Sequence, residues 1–387
     1  MIDQELKNKQ YCCGCFACEN ICPEKCIAMV EDKEGFWYPK VDYNKCIKCG
    51  KCIDVCPIIN KVQVNNNPVA YACINKNESI RLNSSSGGIF TLIAEKIIDD
   101  GGVVFGTLFN KKFDVEHALI ETKEELSKLR GSKYVQSKIG ETYKESKDFL
   151  ESGRKVLFSG TPCQIAGLKS FLKKNYKNLF CIDIICHGAP SPMVWQKYIS
   201  YRENIARSRT KRISFRQKND GWKKYSVSFQ FQNDTEYCNI LDKDLYMKAF
   251  LKNICLRPSC YDCQFKGIHR ISDITLGDFW GIQNILPELD DDKGTSLIFI
   301  NSDKGRILFG KIKNKCEYKE VDIVNAIKYN SAAIKSVYKN PNKDNFFKNI
   351  DIVPFDKLVA KYCSETLFKV TGRKVKRKIV NIINKFR

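Results

Sequence analysis

Apolar residues fall in short runs separated by polar or Gly- and Pro-containing breaks, which predicts alternating strands and helices. Val69 to Asn75 (VAYACIN) reads as a strand. IFTLIAEKIIDD, starting at Ile89, has helical spacing, and GGVVFGTLF after it reads as a second strand. Lys155 to Ser159 (KVLFS) is a buried strand, Gly160-Thr161-Pro162-Cys163 a tight turn, Gln164 to Lys173 a helix, and Leu179 to Ile185 (LFCIDII) another buried strand. Such a strand–helix–strand unit predicts a right-handed crossover into a parallel sheet. YSVSFQFQ, from Tyr225, alternates like a half-exposed strand. Arg373 to Arg387 sets Val375, Ile379, Ile382, Ile383 and Phe386 on one helical face, with seven Lys/Arg elsewhere. That stripe suits docking on the protein or a partner better than lying on an anionic membrane, since such helices are common in soluble proteins.

The first sixty residues have a different texture. Cys12, Cys15, Cys18, Cys22 and Pro23 spell C-x2-C-x2-C-x3-C-P, and Cys46, Cys49, Cys52, Cys56 and Pro57 repeat it. This is the spacing of a bacterial-type ferredoxin with two 4Fe–4S clusters, in which the fourth Cys of each run ligates the other cluster. Cys12, Cys15, Cys18 and Cys56 are therefore assigned to one cluster, and Cys46, Cys49, Cys52 and Cys22 to the other. Paired zinc sites would also use C-x2-C cores but not the full repeated run. The aromatic stretch EGFWYPKVDYNK between the runs reads as a short strand pair. The expected organisation is a two-cluster domain over 1–60, a breaker-rich linker over 61–68, an α/β domain with a mixed sheet over 69–300, and a C-terminal extension over 301–387. The fold class is α+β.

Composition narrows the setting. The 387 residues, 43% hydrophobic, suffice for two or three packed domains. MIDQELKNKQ lacks an apolar signal region, and no run of about 18 apolar residues occurs. Twenty Cys in that context point to metal ligation in a reducing, cytoplasmic setting rather than to disulfides. The 65 Lys and Arg against 44 Asp and Glu leave a formal charge of +21. Three cluster sites, each dianionic with its thiolates, would offset about six charges. The remainder suits an acidic electron carrier, a phosphate-bearing cofactor, nucleic acid or an anionic membrane. Arg202 to Lys224 holds nine Lys/Arg with Phe215 and Trp222 interleaved. A solvated face that docks an acidic partner is favoured there over a nucleic-acid groove.

Further candidate chemistry follows the two runs. Ser84, Ser85, Ser86, Gly87 and Gly88 open the Ile89 helix. Free N–H groups there would seat a phosphate or a flavin dione, and an ordinary N-cap fits equally well. Gly131, Ser132, Lys133 and Tyr134 begin a polar loop that could grip a ring system. Ligands of parallel sheets sit at the carboxyl ends of the strands, and two strands end on Cys163 and Cys186. With the C-x2-C pair Cys260 and Cys263 they make four thiolates for a third cluster. A rival set joins Cys255, Cys260 and Cys263 at plant-type spacing with Cys316 or Cys363. The first set is preferred because it gives both strand-end cysteines a reason. Cys13, Cys26, Cys73, Cys181, Cys238, Cys255, Cys316 and Cys363 otherwise read as buried small hydrophobes. His117, His187 and His269 form no acid–base pair in the sequence. His187 reads as a structural histidine near Cys186, and Asp278 as a turn residue or a group orienting a cofactor.

The stretches SSSGGIFTLIAEKI, GSKYVQS, SGTPCQIAGLKSFL, ICHGAPSPMVWQKYI and LRPSCYDCQFKGIHRISDITLGDFWGI resemble the family formed by the beta subunits of coenzyme F420 hydrogenases and dehydrogenases. The resemblance covers most of Ser84 to Ile282. It implies an FAD-binding domain with its own 4Fe–4S cluster on Cys163, Cys186, Cys260 and Cys263. Flavin contacts would fall on Ser84–Gly88, Gly131–Tyr134 and on Ser159, Gly160, Thr161 and Pro162. The implied function is an iron–sulfur flavoprotein oxidoreductase passing electrons between reduced deazaflavin and 4Fe–4S clusters. Two alternatives stand beside it: a ferredoxin-dependent reductase of a small organic substrate, in polysaccharide synthesis for example, and a non-catalytic electron-transfer subunit of a larger complex. The expected partners are an acidic electron-carrier protein or a deazaflavin, with no nucleic acid.

Overall fold

The computed structural model describes residues 1–6 and 8–363. The Arg373–Arg387 stripe lies outside the described residues. Within the first sixty residues, β1 (Ile27–Glu31) and β2 (Trp37–Val41) pair antiparallel between the two cysteine runs. Only β2 comes from the aromatic stretch; its partner is the preceding IAMVE.

Strands β3 (Val69–Asn75), β4 (Val103–Phe109), β5 (Val115–Ile120), β6 (Val156–Gly160) and β7 (Leu179–Ile184) follow. Next come β8 (Thr210–Gln217), β9 (Ser226–Phe231) and β10 (Glu236–Ile240), then β11 (Ile274–Asp278), β12 (Ser296–Ile300) and β13 (Cys316–Val321). Eight of them form one mixed sheet in the order β13-β3-β12-β11-β7-β6-β4-β5. The four inner strands β11, β7, β6 and β4 run parallel, while β5, β12, β3 and β13 reverse direction in turn. Because β13 pairs along β3, the sheet continues past residue 300 into the segment expected as an extension.

Period-two patterning places the core on both faces of this sheet. Val104, Leu157, Ile182 and Ile274 pack under the helix Ile89–Asp99. Val103, Phe105, Val156, Phe158 and Cys181 pack on the other face with the helices Thr142–Glu151 and Pro162–Leu172. The turn expected at Gly160–Cys163 is the start of that last helix. Thr161 caps it, Pro162 occupies its first turn, and Gln164 closes a capping box.

The small sheet β10-β9-β8 packs on the helices Pro192–Ala206 and Leu245–Leu251 through Trp195, Tyr198, Phe215, Phe229 and Tyr246. β9 is its middle strand and is buried at every position but Gln230, so YSVSFQFQ is not half-exposed. The basic stretch is likewise only partly a solvated face. Arg202, Phe215, Arg216 and Trp222 are buried in it. Among the described residues no helix is long and apolar enough to cross a membrane.

The N-terminal sixty residues are fastened to this body. Asn20 donates to Gly140 O at 2.9 Å, and Ser191 Oγ donates to Glu34 O at 2.5 Å. The Lys343 ammonium pairs with the Glu34 carboxylate in a largely buried site. Gly35 is required at the hairpin tip: its φ is +81°, and a Cβ there would lie 2.4 Å from Met193 Cβ.

Candidate functional site

Each cysteine run gives its first three thiols one loop and sends the fourth across to the other loop, and the cavities reflect that. Cys12, Cys15, Cys18 and Cys56 line one cavity with Ile2, Phe16 and Met29, holding about 310 Å³ of empty space. Cys22, Cys46, Cys49 and Cys52 line a second of about 340 Å³. Burial pushes the Cys12 and Cys18 thiols up, and Cys56 up to about 11. Sulfurs that burial keeps protonated become thiolates when a bound cation replaces the proton. Among the described residues no three His, Cys, Asp or Glu side chains converge on a single metal ion. The thiols ring space instead, as a multi-iron cube requires.

The third set assembles from three separate elements. Cys163 lies in the first turn of Pro162–Leu172 beyond β6, and Cys186 follows β7. Cys260 sits in the single turn Pro258–Asp262, with Cys263 just after it. A bridge between Pro190 and Leu256 brings the two loops together. All four thiols line one cavity of about 670 Å³, partly open to solvent, with His187, Lys266 and Arg270. The Ala189 N–H lies 3.3 Å from Cys260 Sγ, and Cys263 N–H donates to Ser336 Oγ at 2.9 Å. Burial raises Cys186 to about 12 and raises Cys260 and Cys263 as well. Cys163 falls to about 7, because the Cys13 thiol hydrogen-bonds it.

The plant-type set does not assemble. Cys255 is fully buried with Cys363 in the aromatic core, and Cys316 pairs with Cys73 under the large sheet. Of the eight cysteines read as small hydrophobes, Cys238 is exposed. Two others lie beside assigned ligand thiols. Cys26 Sγ lies 3.3 Å from Cys22 Sγ, and Cys13 lines both the cavity of Cys15 and that of Cys163.

Arg257 is the residue sequence reasoning missed. It is 1% exposed and reaches from the large domain into the first cysteine loop. Its Nε donates to Cys12 O at 2.8 Å, Nη1 to Gln136 Oε1 at 3.2 Å and Nη2 to Trp37 O at 2.9 Å. Gly14, at φ +66°, leaves the space: a Cβ there would lie 2.8 Å from Arg257 Cζ. All three acceptors are neutral. The titratable groups facing the guanidinium are Cys12 first, then the Tyr38 phenol, Cys13 and Cys260. A buried cation so placed fits anionic metal–thiolate centres in both cavities. The signal was present in Leu256-Arg257-Pro258-Ser259-Cys260, but nothing local told which way the arginine points.

The three loops expected to hold a cofactor gather at the carboxyl edge of the parallel strands. Ser132 donates to Ser85 Oγ from its N–H at 2.6 Å and from its hydroxyl at 2.9 Å. Gly106 in β4 lies under both Ser159 and Leu129: a Cβ there would be 3.0 Å from Ser159 Oγ and 3.1 Å from Leu129 Cδ1. Within the Ser/Gly turn, Ser84 bonds Ile80 O, Ser86 bonds Thr295 O, and Gly87 N–H bonds Ser296 Oγ. Those groups serve the turn itself, whereas the helix Ile89–Asp99 has no side-chain cap. Lys218 donates to Ser86 O and Arg81 O, and Lys133 to Leu129 O and Arg130 O. Desolvation lowers both ammonium groups to about 7. Asp278 ends β11 as the bidentate partner of buried Arg216 and accepts from Trp222 Nε1 at 3.1 Å. It is therefore an ion-pair partner rather than a turn residue. Trp280 stacks on Trp222 at 4.8 Å. Each lysine spends three donated bonds on carbonyls and Arg216 is paired with Asp278, so what this edge offers an anionic group is the uncapped helix start, with the two lysines beside it.

His117 supports the Ser159 loop. Its Nε2 lies 3.1 Å from Ser159 O and so carries the proton, while Nδ1 accepts from Ser137 Oγ at 3.1 Å. Burial lowers its pKa to about 4. An unfolded histidine titrates near 6.5, so the unfolded chain takes up the proton first as pH falls. The contribution is complete above about pH 6.5 and is lost towards about pH 4, at most roughly 3 kcal/mol. His117→Gln should flatten that part of the stability profile, read as the denaturant midpoint against pH. A slope identical to that of the unaltered protein would refute the assignment.

His187 Nε2 lies 2.7 Å from Asn253 Oδ1 and His269 Nδ1 2.6 Å from Asn66 O, so neither is an acid–base partner of the other.

Comparison with known proteins gives the family. The family model described as "Coenzyme F420 hydrogenase/dehydrogenase, beta subunit N-term" matches residues 70–143, and its C-terminal counterpart matches 153–326. A "4Fe-4S dicluster domain" model matches 11–59. One polypeptide of the F(420)H(2) dehydrogenase of Methanosarcina mazei is 21% identical over 192 residues, 47% of this chain and 55% of that protein. Coenzyme F420-dependent sulfite reductase of Methanocaldococcus jannaschii is 25% identical over 203 residues, 50% of this chain and 30% of that protein. The chain thus spans about half or less of the length of these curated relatives. A chain of the F420-reducing [NiFe] hydrogenase complex from Methanosarcina barkeri aligns with a TM-score of 0.47 at 18% identity, covering 69% of this chain and 91% of that one.

Proposed function

This chain belongs to the family of coenzyme F420 hydrogenase/dehydrogenase beta subunits, preceded by a 4Fe-4S dicluster domain, and on that premise we propose that it is a flavin-dependent iron–sulfur oxidoreductase. Its two-electron partner would be reduced coenzyme F420 or another small organic molecule. Its one-electron partner would be an acidic carrier protein. Bound at the twelve thiols and at the carboxyl edge, 4Fe–4S groups would supply one-electron transfer, and FAD would supply the exchange between paired and single electrons.

The observation that carries this reading is the convergence of twelve cysteines on three cavities. Cys163, Cys186, Cys260 and Cys263 would hold the third cluster. The start of Ile89–Asp99 would hold the anionic part of a flavin, with Lys133, Lys218, Tyr134, Ser159 and Thr161 beside it. Gly167 lets the first thiol set pack against the helix that carries Cys163: a Cβ there would lie 2.8 Å from Cys15 Cβ. The second set faces outward. Cys49 is the exposed member of the twelve. Around it Ile47 is 61% and Tyr43 49% exposed, with Lys45, Lys48 and Lys51 also exposed. An apolar centre ringed by lysines suits transient docking of an acidic protein. This exposed face also keeps the reverse polarity in play, a reductase fed by such a carrier.

Loaded protein mixed anaerobically with reduced coenzyme F420 should bleach a bound flavin. Bleaching only by a reduced acidic carrier would establish the reductase direction instead. Loaded protein without flavin would leave an electron-transfer subunit. In the carrier arm, Lys48→Glu with Lys51→Glu should slow the second-order step about tenfold or more at low salt, with the difference shrinking as salt rises. A rate unaffected by the double reversal would place docking elsewhere.

A further inference from the structure

Cys13 stands outside the spacing motif, yet its side chain occupies the boundary between two ligand sets. It lines the cavity of Cys12, Cys15, Cys18 and Cys56 and also the cavity of Cys163, Cys186, Cys260 and Cys263. Cys15 lines the first of these cavities and Cys163 the second, so Cys13 sits between the two sulfurs. Those two sulfurs belong to different assigned centres. The surroundings hold this arrangement in place. Gly14 follows Cys13 at φ +66° and is wedged against Arg257 and Gln136. Cys163 is fixed by the first turn of its helix, where Thr161 Oγ1 lies 3.1 Å from its sulfur. Gly167, one turn further on, lets Cys15 approach that helix.

We propose that Cys13 is a positioning residue whose single S–H hydrogen bond is shared between the first and third metal centres, donated to either Cys15 or Cys163 and so coupling their redox states. The inference rests on the assignment of 4Fe–4S centres to both thiol sets.

A thiol has one proton to donate, so it serves one of the two sulfurs at a time. Hydrogen bonds to ligand sulfurs stabilise the more negative, reduced form of a centre and raise its potential. Whichever side carries the added electron holds the S–H more strongly and withdraws it from the other. Reduction on one side therefore disfavours reduction on the other, beyond plain charge repulsion. Cys13 lines the first and third cavities and not the second, so the first centre rather than the second faces the third. The implied order from the surface is the Cys49 site, the Cys12–Cys56 site, then the Cys163 site.

The test uses the full, anaerobically loaded chain with Cys13→Ala and Cys13→Ser, iron analysis, and EPR-monitored redox titration. In Cys13→Ala, iron should stay at about twelve per chain, while the midpoints of the first and third centres shift downward. Electron–nuclear double resonance should show loss of an exchangeable proton coupled to the reduced centre. Cys13→Ser keeps a donor and should restore both the midpoints and the proton. Midpoints and proton signal unchanged in Cys13→Ala would overturn the proposal. Loss of about four irons in both variants would overturn it too, by making Cys13 a ligand. Unaltered protein with only about eight irons would instead remove the third centre, and the underlying assignment would fail first.

Discussion

Cys260→Ser should lower bound iron from about twelve to about eight atoms per chain and remove one of three EPR signals. The sulfur lies in a cavity whose other thiols come from the ends of β6 and β7 and from Cys263. These elements are far apart in sequence, so the site has no local run that could recruit a substitute ligand. A serine hydroxyl is a hard, weakly acidic donor and leaves one apex without a soft ligand. The first two centres draw on Cys12 to Cys56 alone and should keep their iron. Cys255→Ser is the matched control. It sits five residues away, but its side chain is fully buried in the aromatic core, so it should cost stability and spare iron. Iron unchanged in Cys260→Ser, or about four atoms lost in Cys255→Ser, would exchange the two assignments.

What the chain made legible follows the range of the interaction. Ligands spaced two or three residues apart are a local property, and both cysteine runs could be read directly. Buried parallel strands ending on Cys163 and Cys186 were legible because apolar runs announce them, and Cys260 and Cys263 then had a place to go. The basic stretch from Arg202 was read only in part: Arg207, Arg209, Lys211, Arg212 and Lys224 are exposed, but composition records a charge without its partner. Arg216 finds Asp278 sixty-two residues later, and Arg202 donates to buried Tyr198. Cys12 and Cys13 are neighbours with identical side chains; spacing singled out Cys12, and only the structure shows that Cys13 lines two of the thiol cavities. β9 alternates in sequence but is the middle strand of its sheet: Val227, Phe229 and Phe231 enter the aromatic core, and Ser226 and Ser228 are buried on the opposite face.

Arg257 is the longest-range of these contacts, 245 residues from its acceptor at Cys12, and its replacement should have the largest effect on how the two domains hold together. Arg257→Met keeps much of the volume and removes three donors. Cys12 O, Trp37 O and Gln136 Oε1 would each lose a buried bond, at about 1–3 kcal/mol for every group left unsatisfied. Breaking a buried ionic site by deleting one partner costs about 3–5 kcal/mol, which sets the expected loss in the loaded protein. Its guanidinium also lies over the Tyr38 ring at 4.2 Å, a contact the methionine would not replace. The sign of the metal dependence is the sharper test. With metal–thiolate centres in place, the buried cation faces negative charge on the Cys12 side and the Cys260 side. Without metal those thiols are largely protonated by burial, and the cation is left with neutral acceptors only. Arg257→Met should therefore cost markedly less in metal-free protein than in loaded protein. It should also lower the midpoint potential of the first centre, since a nearby positive charge favours the added electron. Thermal unfolding of the four species, with proteolysis in the 61–68 segment reporting release of the N-terminal domain, measures this directly. Equal costs with and without metal would mean that Arg257 serves packing and main-chain bonding alone and has no electrostatic tie to the centres on either side.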